Sequence, residues 1–413
     1  MNRLIFHVDV NSAYLSWEAV RRIEAGGDDI RLVASAIGGD RDKRTGVILS
    51  RSVLAKKRGV KTGEPVSMAL RKCPELVLAK PDFSIYEKNS RAFMAICRDF
   101  APVVEQYSID ECFLDMSGTQ RMYPDPVAAA NILRERIKSE LGFTVNIGVS
   151  ENKLLAKMAS DFEKPDKVHT LFAEEIGAKM WPLPAEELFS VGKNTAERLK
   201  AARIYTIGEL ANAEPEHIQL LLGNKTGALL WAYANGRDES PVQSQAEVAK
   251  GYSVSTTLEE DVTDMERASA ILLALADSVS ARMRADGVKA YCISVAARSN
   301  DFKTRSHQRK LYEATDITAE IAGVARELFA ELWDGKTPLR LLGIALSELE
   351  TGDYIQQSLF VDAGKERARR LDSTVDSLRG RFGSGIISRG SASGADVSVG
   401  KKYKAQLEQD KKK

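Results

Sequence analysis

Three carboxylates at two distant places in the chain suggest metal-dependent chemistry. Asp110 and Glu111 are adjacent in "YSIDECFLDMS", where the neighbouring apolar residues predict a short, half-buried β-strand in which acidic residues are disfavoured. Asp9 closes another apolar strand pattern, "LIFHVDV", and small residues then lead into a helix. If the three carboxylates converge, they would hold hard cations such as Mg²⁺, and two ions about 3.5–4 Å apart would support an in-line phosphoryl displacement.

The adjacent acidic pair also has a simpler explanation, a strand end whose carboxylates form outward salt bridges. Strict alternation adds a difficulty, because it places Glu111 with Ile109 and Phe113 on the apolar side of the strand, away from Asp110. A bulge or a sheet edge would then have to turn Glu111 toward the cleft.

Basic residues that follow two other predicted strands are candidates for binding a triphosphate. In "TVNIGVSENKLLAKMASDFEKP", Lys153 and Lys157 are four positions apart on a predicted helix and therefore share one face. The segment "GVILSRSVLAKKRGVKTGEP" carries a second cluster: Arg51, Lys56, Lys57, Arg58 and Lys61. Taken alone, each cluster is more typical of a solvated surface than of a ligand site.

The elements that must position these residues divide the chain into several parts. Residues 1 to about 165 alternate short apolar strands with helical stretches, which predicts an α/β or α+β unit. The next stretch, to about 233, looks wholly helical, and the polar segment after it is typical of an interdomain linker. From about 250 to 350, four strand patterns enclose two helical runs, and the remaining tail predicts one helix followed by disorder.

Composition excludes several classes of protein. With 44% hydrophobic and 28% charged residues, the 413-residue chain is typical of a soluble, cytoplasmic protein with several domains. No apolar run reaches the roughly 20 residues that a spanning helix needs. The four cysteines are scattered singly and the four histidines do not cluster near them, so neither disulfides nor a zinc site is predicted.

Four segments, in order and spacing, resemble the conserved blocks of Y-family translesion DNA polymerases, the branch that contains bacterial DNA polymerase IV. They are "HVDVNSAYLSWEA", "GVILSRSVLAKKRGVKTGEP", "YSIDECFLDMSG" and "GVSENKLLAKMASDFEKP". The resemblance covers about residues 1 to 362, and four ordered blocks are far more specific than any one of them. It implies a DNA-directed DNA polymerase that uses two Mg²⁺ ions.

The resemblance assigns roles to individual residues. The matching positions are Asp9, Asp110, Glu111 and the Val10 carbonyl for metal, Tyr14 as the aromatic gate against a ribose 2′-hydroxyl, and Ser50, Lys56 and Lys157 for the triphosphate. Two positions depart from the family pattern, since Val53 and Lys56 stand where a Tyr and an Arg usually clamp the triphosphate. Lys56 keeps the positive charge but loses the bidentate fork of an arginine. The position after Asp9 is often aromatic and is Val10 here.

The helical stretch contains a DNA-binding candidate. "LFSVGKNTAERLKAARIYTIGEL" resembles a helix-hairpin-helix, in which Gly192 and Lys193 would present backbone N–H groups to a DNA phosphate. Ser190 occupies the place of the usual first glycine. Thr206 and Glu209 form a candidate capping box that would begin the next helix whatever the function.

Two further segments suggest contacts with macromolecules. Lys303, Arg305 and Arg309 in "FKTRSHQRK" are evenly spaced, so a strand would display them on one face, either toward a DNA backbone or as a charged, protected sheet edge. Beyond the last strand, "YIQQSLFVD" resembles the peptide that binds the bacterial sliding clamp, through the positions Gln356, Ser358, Leu359 and Phe360.

We therefore expect an α+β multidomain, right-hand polymerase fold with palm, fingers, helical thumb and α/β little finger. The expected boundaries are 1–18 and 78–165 for the palm, 19–77 for the fingers, 166–233 for the thumb, 234–248 for a linker, 249–350 for the little finger and 351–413 for a tail with the clamp peptide. The expected enzyme is a monomer that extends primer-template DNA with dNTPs, with low fidelity and without proofreading. Two alternatives remain: a nucleotidyl cyclase-like palm enzyme and a catalytically inactive DNA-binding accessory protein.

Overall fold

The structure is a computed structural model that describes residues 3–39, 46–244, 249–350, 363–383 and 385–390. These residues form two compact units, one within Met1–Gly38 and Val47–Ala246 and the other within Glu247–Lys413. The predicted α+β multidomain class is confirmed, because both units combine sheets with helices. Among the helices of the described residues, none is long and apolar enough to cross a membrane.

The described part of the first unit alternates strands and helices before it becomes mainly helical. Its strands are β1 (Ile5–Val10), β2 (Ser35–Gly38), β3 (Ile48–Arg51), β4 (Val77–Ala79), β5 (Val103–Gln106), β6 (Glu111–Asp115), β7 (Val145–Ser150) and β8 (Val168–Thr170). Its α-helices are α1 (Ala13–Glu24), α2 (Val53–Lys57), α3 (Val66–Lys72), α4 (Phe83–Phe100), α5 (Pro126–Leu141), α6 (Lys153–Ser160), α7 (Ile176–Lys179), α8 (Lys193–Ala201), α9 (Ile207–Ala211), α10 (Pro215–Leu222) and α11 (Asn224–Ala234).

The main sheet of this unit has the strand order β5-β6-β1-β7-β8. One face packs against α1, α4 and α5 in a core that contains Phe6 and Val8 of the central strand β1, and both residues are fully buried. Helix α6 covers the other face, where Ala156 packs against Ile5 and Phe113. The central strand therefore has no solvent-facing side, which explains why its sequence is apolar almost throughout.

A smaller sheet with the order β3-β2-β4 packs with α2 and α3 around a separate apolar core.

The sequence predicted that the stretch from 166 to about 233 is wholly helical. This prediction is wrong, because the stretch begins with β8, which pairs in parallel with β7. Three residues of strand are too few to show a periodic pattern, and this pairing depends on a partner that is distant in the chain.

The segment that follows α11 is fixed against the first unit as far as it is described. Asn152 donates its side-chain N–H to the Gly236 carbonyl at 2.9 Å, and the Leu154 backbone N–H donates to Asp238 at 3.1 Å. Further along, the Gln243 backbone N–H donates to Glu105 at 2.8 Å. The first half of the predicted linker thus belongs structurally to the unit that precedes it.

The second unit is a four-stranded antiparallel sheet with helices on one face. Its described elements are β9 (Gly251–Val262), α12 (Met265–Ala285), β10 (Lys289–Ser299), β11 (Thr304–Thr315), α13 (Thr318–Leu332), β12 (Leu339–Glu350) and α14 (Ala363–Phe382). The strand order is β11-β10-β12-β9, so β11 and β9 are the edges. Helices α12 and α13 pack on the face that contains the fully buried Ile293 and Val295. The four predicted strands and the two predicted helices between them are confirmed.

Helix α14 is bound to α12 and α13 mainly through charged groups. Arg284 of α12, whose side chain is 9% exposed, donates to Asp376 at 2.7 Å and to Asp372 at 3.4 Å. Asp372 also accepts the backbone N–H of Thr318 at 2.8 Å. Since α13 has no side-chain cap of its own, Asp372 caps it from a different helix.

Candidate functional site

The antiparallel pairing of β1 with β6 brings the three predicted carboxylates to one end of the main sheet. Asp9 lies opposite Glu111 in the register, and the Val10 backbone N–H donates to the Asp110 carbonyl at 3.0 Å. Glu111 is the first residue of β6, so the expectation that both acidic residues lie in the middle of a strand is wrong. They lie where the chain enters the sheet, and there a carboxylate disrupts little of the ladder.

The face on which Glu111 lies is the one covered by α6. Glu111 and Phe113 of β6 alternate with Cys112 and Leu114, which belong to the main core on the opposite face. Because Asp9 pairs with Glu111 and His7 pairs with Phe113, these four residues share the α6 side of the sheet. No bulge is needed to turn Glu111, since the side shared with Phe113 is not the main apolar core.

The carboxylates differ in their electrostatic environment. The pKa of Asp9 is raised to about 6, chiefly by burial and also by the nearby Glu111 and Asp110 charges, which together outweigh the lowering effect of Lys164. Burial also raises the pKa of Asp110, although Ser108 donates a hydrogen bond to its carboxylate at 2.6 Å. Two partly buried aspartates without full charge compensation are the kind of group that a bound cation stabilises.

Glu111 has the opposite behaviour. Burial raises its pKa, but hydrogen bonds from His7 and Lys157 lower it more strongly, to about 2. His7 is fully buried, and burial lowers its pKa to about 4, so the imidazole is neutral at neutral pH. Glu111 is therefore ionised throughout the physiological pH range.

Three lysines reach this part of the sheet, and the sequence analysis named two of them, Lys153 and Lys157, as candidates for binding a triphosphate. Lys157 of α6 forms an ion pair with Glu111, and its Nζ lies 5.3 Å from the ring centre of Tyr107. Lys153, one turn earlier, donates instead to Glu105 at 2.7 Å. Lys164, which sequence reasoning missed, forms an ion pair with Asp9.

No periodic pattern in the sequence marked Lys164 or His7 as a site residue. Lys164 lies four residues beyond the end of α6, in a segment whose course the helix pattern does not define. His7 is two positions before Asp9 on a strand, so alternation alone would have placed it on the same face as that carboxylate. The two-residue spacing of His7 and Asp9 along the strand was therefore the available clue.

Tyr14, the predicted gate, lies in the first turn of α1 within an aromatic cluster. The centre of its ring is 4.6 Å from that of Tyr86, 5.9 Å from that of Trp17 and 6.3 Å from that of Phe83. Tyr86 and Trp17 are fully buried, whereas Tyr14 is half-buried. Burial and the Asp110 charge both raise the pKa of Tyr14, which indicates that the phenol and the carboxylate are near each other.

Ser50 and Lys56 are on the smaller sheet and its helix. Ser50 is a buried residue of β3, and Lys56 is an exposed residue of α2, whose N-cap is Ser52. Within the ranges that the structure describes, neither residue is hydrogen-bonded or ion-paired to the three carboxylates. Their roles in binding a triphosphate stay predictions.

The predicted helix-hairpin-helix has its glycine at the start of a helix. Gly192 is the N-cap residue of α8, and Lys193 is the first helical residue, with its side chain 88% exposed. Ser190 adopts a left-handed backbone conformation with φ of 74°, which is the conformation that a glycine would adopt most readily. Thr206 and Glu209 form the predicted capping box at α9.

The row Lys303, Arg305 and Arg309 is only partly displayed as the sequence predicted. Lys303 precedes β11 and pairs with Asp301 at 2.9 Å. Arg309 lies opposite Ile293 of β10, on the helix side of the sheet, and donates to Glu331 of α13 at 3.0 Å. Arg305 lies opposite Ala297 and therefore shares that side. The even spacing does put the two arginines on one face, but that face is turned toward α13.

The predicted clamp residues Gln356, Ser358, Leu359 and Phe360 lie outside the described residues.

In the part of the chain that is described, no group of three or more His, Cys, Asp or Glu side chains is arranged to hold a metal ion. Lys164 and Lys157 are bound to Asp9 and Glu111 instead. The available donors are nevertheless all carboxylate oxygens, which suit a hard divalent cation.

Comparison with known proteins supports a polymerase. Family models match residues 8–161 (impB/mucB/samB family), 249–359 (impB/mucB/samB family C-terminal domain) and 186–238 (DNA polymerase-iota, thumb domain). The solved structure of a Y-family DNA polymerase chimera matches with a TM-score of 0.73 at 21% sequence identity, covering 84% of this chain and all of that one. This likeness shows that the fold is that of Y-family DNA polymerases.

Curated relatives extend the comparison over nearly the whole chain. DNA polymerase IV of Clostridium acetobutylicum is 46% identical over 392 residues, which cover 94% of this chain and 98% of that protein. DNA polymerase IV of Clostridium kluyveri is 36% identical, with 95% and 98% covered, and DNA polymerase IV 1 of Bacillus subtilis is 34% identical, with 100% and 99% covered. The chain therefore belongs to the Y family of DNA polymerases, and it is a DNA-directed DNA polymerase. This membership implies that it binds DNA and dNTPs and depends on a divalent metal.

Proposed function

We propose that this protein is a lesion-bypass polymerase that adds dNTPs to a primer 3′-hydroxyl with low fidelity and without proofreading, using two Mg²⁺ ions. The observation that carries the proposal is the convergence of Asp9, Asp110 and Glu111 where β1 and β6 pair. Their oxygens, with the Val10 carbonyl, would hold the cations. When bound, two such ions activate the attacking hydroxyl and stabilise the leaving oxygen.

The chain's own residues have distinct tasks in this proposal. Tyr14 would lie under the sugar of the incoming nucleotide and exclude a 2′-hydroxyl. Lys157, with Ser50 and Lys56, would bind the triphosphate. Lys157 is supported for this role by its position beside Glu111, because an ammonium group next to the metal-binding carboxylate is near the place where the phosphates must lie.

Contacts with the template would come from outside the main sheet. Gly192 and Lys193 at the start of α8 would bind a DNA phosphate.

We propose that the chain is divided into palm, fingers, thumb, linker and little finger at the boundaries predicted from the sequence. We further propose that the protein acts in the cytoplasm as a monomer and binds the sliding clamp through Gln356, Leu359 and Phe360.

Primer extension with purified protein tests the proposal directly. We expect extension of a DNA primer in Mg²⁺ and none after chelation. Asp110→Ala or Glu111→Ala should lower the rate by about a thousandfold or more, because each removes a ligand for the charge-stabilising cation. Binding of primer-template should change by less than about threefold, since phosphate contacts elsewhere supply most of the affinity.

Asp115→Ala is the matched control, because Asp115 shares its strand and face with Glu111 but, among the described residues, accepts a hydrogen bond only from the Ser117 backbone, at 2.9 Å. It should extend primers like the parent. Parent-like extension by the Asp110 or Glu111 variant would refute the metal assignment.

A further inference from the structure

A buried chain of hydrogen bonds reaches Glu111 from behind the acidic site. His7 Nε2 is 3.1 Å from Glu111 Oε2, and His7 Nδ1 is 2.7 Å from Ser160 Oγ. His7 and Ser160 are both fully buried, on β1 and at the end of α6. The ring of Phe113 packs on the imidazole with a centroid distance of 4.6 Å. The imidazole is thus held on several sides and has little freedom to turn.

The chemistry of the three groups fixes the direction of these bonds. An ionised carboxylate only accepts hydrogen bonds, so the His7 nitrogen that faces Glu111 must carry the proton. In a neutral imidazole the other nitrogen then accepts, and the Ser160 hydroxyl donates to it only by turning its single hydrogen away from the Lys157 carbonyl, which lies 2.8 Å from the same Oγ. The Glu111 carboxylate therefore selects the tautomer in which His7 donates to it, and Ser160 holds the other side of the ring.

The bonds also divide the two oxygens of Glu111 between different tasks. Both His7 and Lys157 bind Oε2, and in the described residues no protein donor is assigned to Oε1. Carboxylates that bind a metal through one oxygen commonly accept a hydrogen bond at the other, which fixes their orientation. Lys157 is a long, flexible side chain that can turn to a phosphate, whereas the buried imidazole of His7 cannot turn away from Glu111.

We propose that His7, buried between Ser160 and Glu111, is a positioning residue that keeps Glu111 oriented with Oε1 toward the cation site. The inference rests on the proposed metal site and specifies which residue orients one of its carboxylate ligands. His7 is not itself a cation ligand, because its Nε2 is already used by Glu111.

Binding of Mn²⁺, measured by electron paramagnetic resonance in the presence of primer-template and an unreactive dNTP analogue, tests the role apart from turnover. His7→Leu removes the donor, and we expect Mn²⁺ affinity to fall by about tenfold or more. In His7→Gln the amide N–H can still reach Oε2, so affinity should stay within about threefold of the parent. Ser160→Ala should weaken binding by an intermediate factor, because the imidazole loses the hydrogen bond that holds its Nδ1 side in place.

A Mg²⁺ titration of primer extension gives the second readout. His7→Leu should raise the half-maximal Mg²⁺ concentration and leave the rate at saturating Mg²⁺ nearly unchanged. Val8→Ala, on the same strand but facing the main core, controls for loss of packing and should alter stability without altering Mn²⁺ affinity.

Parent-like Mn²⁺ affinity in a folded His7→Leu protein would overturn the inference while leaving the proposed function intact. If His7→Leu does not fold, the comparison of Ser160→Ala with the parent decides, and equal affinity overturns the inference. If the parent itself shows no Mg²⁺-dependent extension, the proposed function fails instead.

Discussion

Tyr14 is half-buried against the aromatic cluster, so part of its side chain stays exposed, which suits a residue that meets a sugar. We expect Tyr14→Ala to raise incorporation of ribonucleotides relative to deoxynucleotides by about tenfold or more, because a steric clash with the 2′-hydroxyl is removed. Single-nucleotide incorporation with matched rNTP and dNTP measures this ratio.

Phe83→Ala is the matched control for this prediction. It removes another ring of the same cluster, 6.3 Å from that of Tyr14, and should leave the ratio unchanged. An unaltered ratio in Tyr14→Ala would place the gate elsewhere.

At the residue scale, the sequence singled out residues whose type was unusual for their place, and the structure brings three of these together. Asp9, Asp110 and Glu111 stood out because carboxylates are rare in apolar strands. Lys164 and His7 did not stand out, because a lysine beyond a helix end and a histidine in a strand are both ordinary. Their importance comes from the pairing of β1 with β6 and from the packing of α6, which no local pattern reports.

At the scale of elements, α6 lies very close to β7 at Gly148. A Cβ atom added to Gly148 would lie 1.8 Å from the Ala156 carbonyl oxygen and 2.6 Å from the Ser160 nitrogen, both backbone atoms of α6 or its end. Only glycine allows this helix to lie so close to the sheet.

Gly148→Ala should therefore push α6 outward and lower the free energy of unfolding by about 1–3 kcal/mol or more. Because α6 carries Lys157 and Ser160, we expect primer extension to fall as well. Urea denaturation and extension rates check the two effects.

Gly323→Ala is the matched control, since Gly323 is in α13 and its added Cβ meets nothing within 4 Å. It should be neutral or stabilise by about 0.5–1 kcal/mol, because alanine favours a helix. A Gly148→Ala protein as stable as the parent would contradict the packing described for α6.

Elements with a clear apolar pattern were predicted, and a short strand without one was missed. The strands around Asp9 and Glu111 and the helical stretches between them follow such patterns. Strand β8 was missed because three residues form it only beside β7. Arg305 and Arg309 of the charged row were assigned one face correctly, whereas Lys303 lies before β11, and sequence spacing cannot tell which side of a sheet carries the helices.

On the scale of the whole molecule, α14 shows that the second unit extends beyond its sheet. Asp372 is buried against Arg284 and caps Thr318, so Asp372→Ala leaves a buried guanidinium with fewer partners and an uncapped helix start. We expect a loss of roughly 3–5 kcal/mol in the free energy of unfolding of this unit. Denaturation followed by circular dichroism measures it.

Arg370→Ala is the matched control on the same helix. Its side chain is 78% exposed and, within the part of the chain that is described, pairs only with Glu366, four positions away, so the change should be within about 0.5 kcal/mol. Equal stability of the Asp372 and Arg370 variants would show that α14 is not part of the folded unit.

The docking of α14 also has a genetic consequence. A premature stop codon just after codon 362 would leave every predicted catalytic and clamp-binding residue in the product, yet it would remove the carboxylate that caps α13 and the partners of Arg284. Such an allele would behave as a temperature-sensitive folding mutant rather than as a polymerase that has merely lost its tail. Dissecting the clamp peptide in cells therefore calls for point changes at Leu359 and Phe360, because a shortened gene would confound two different defects.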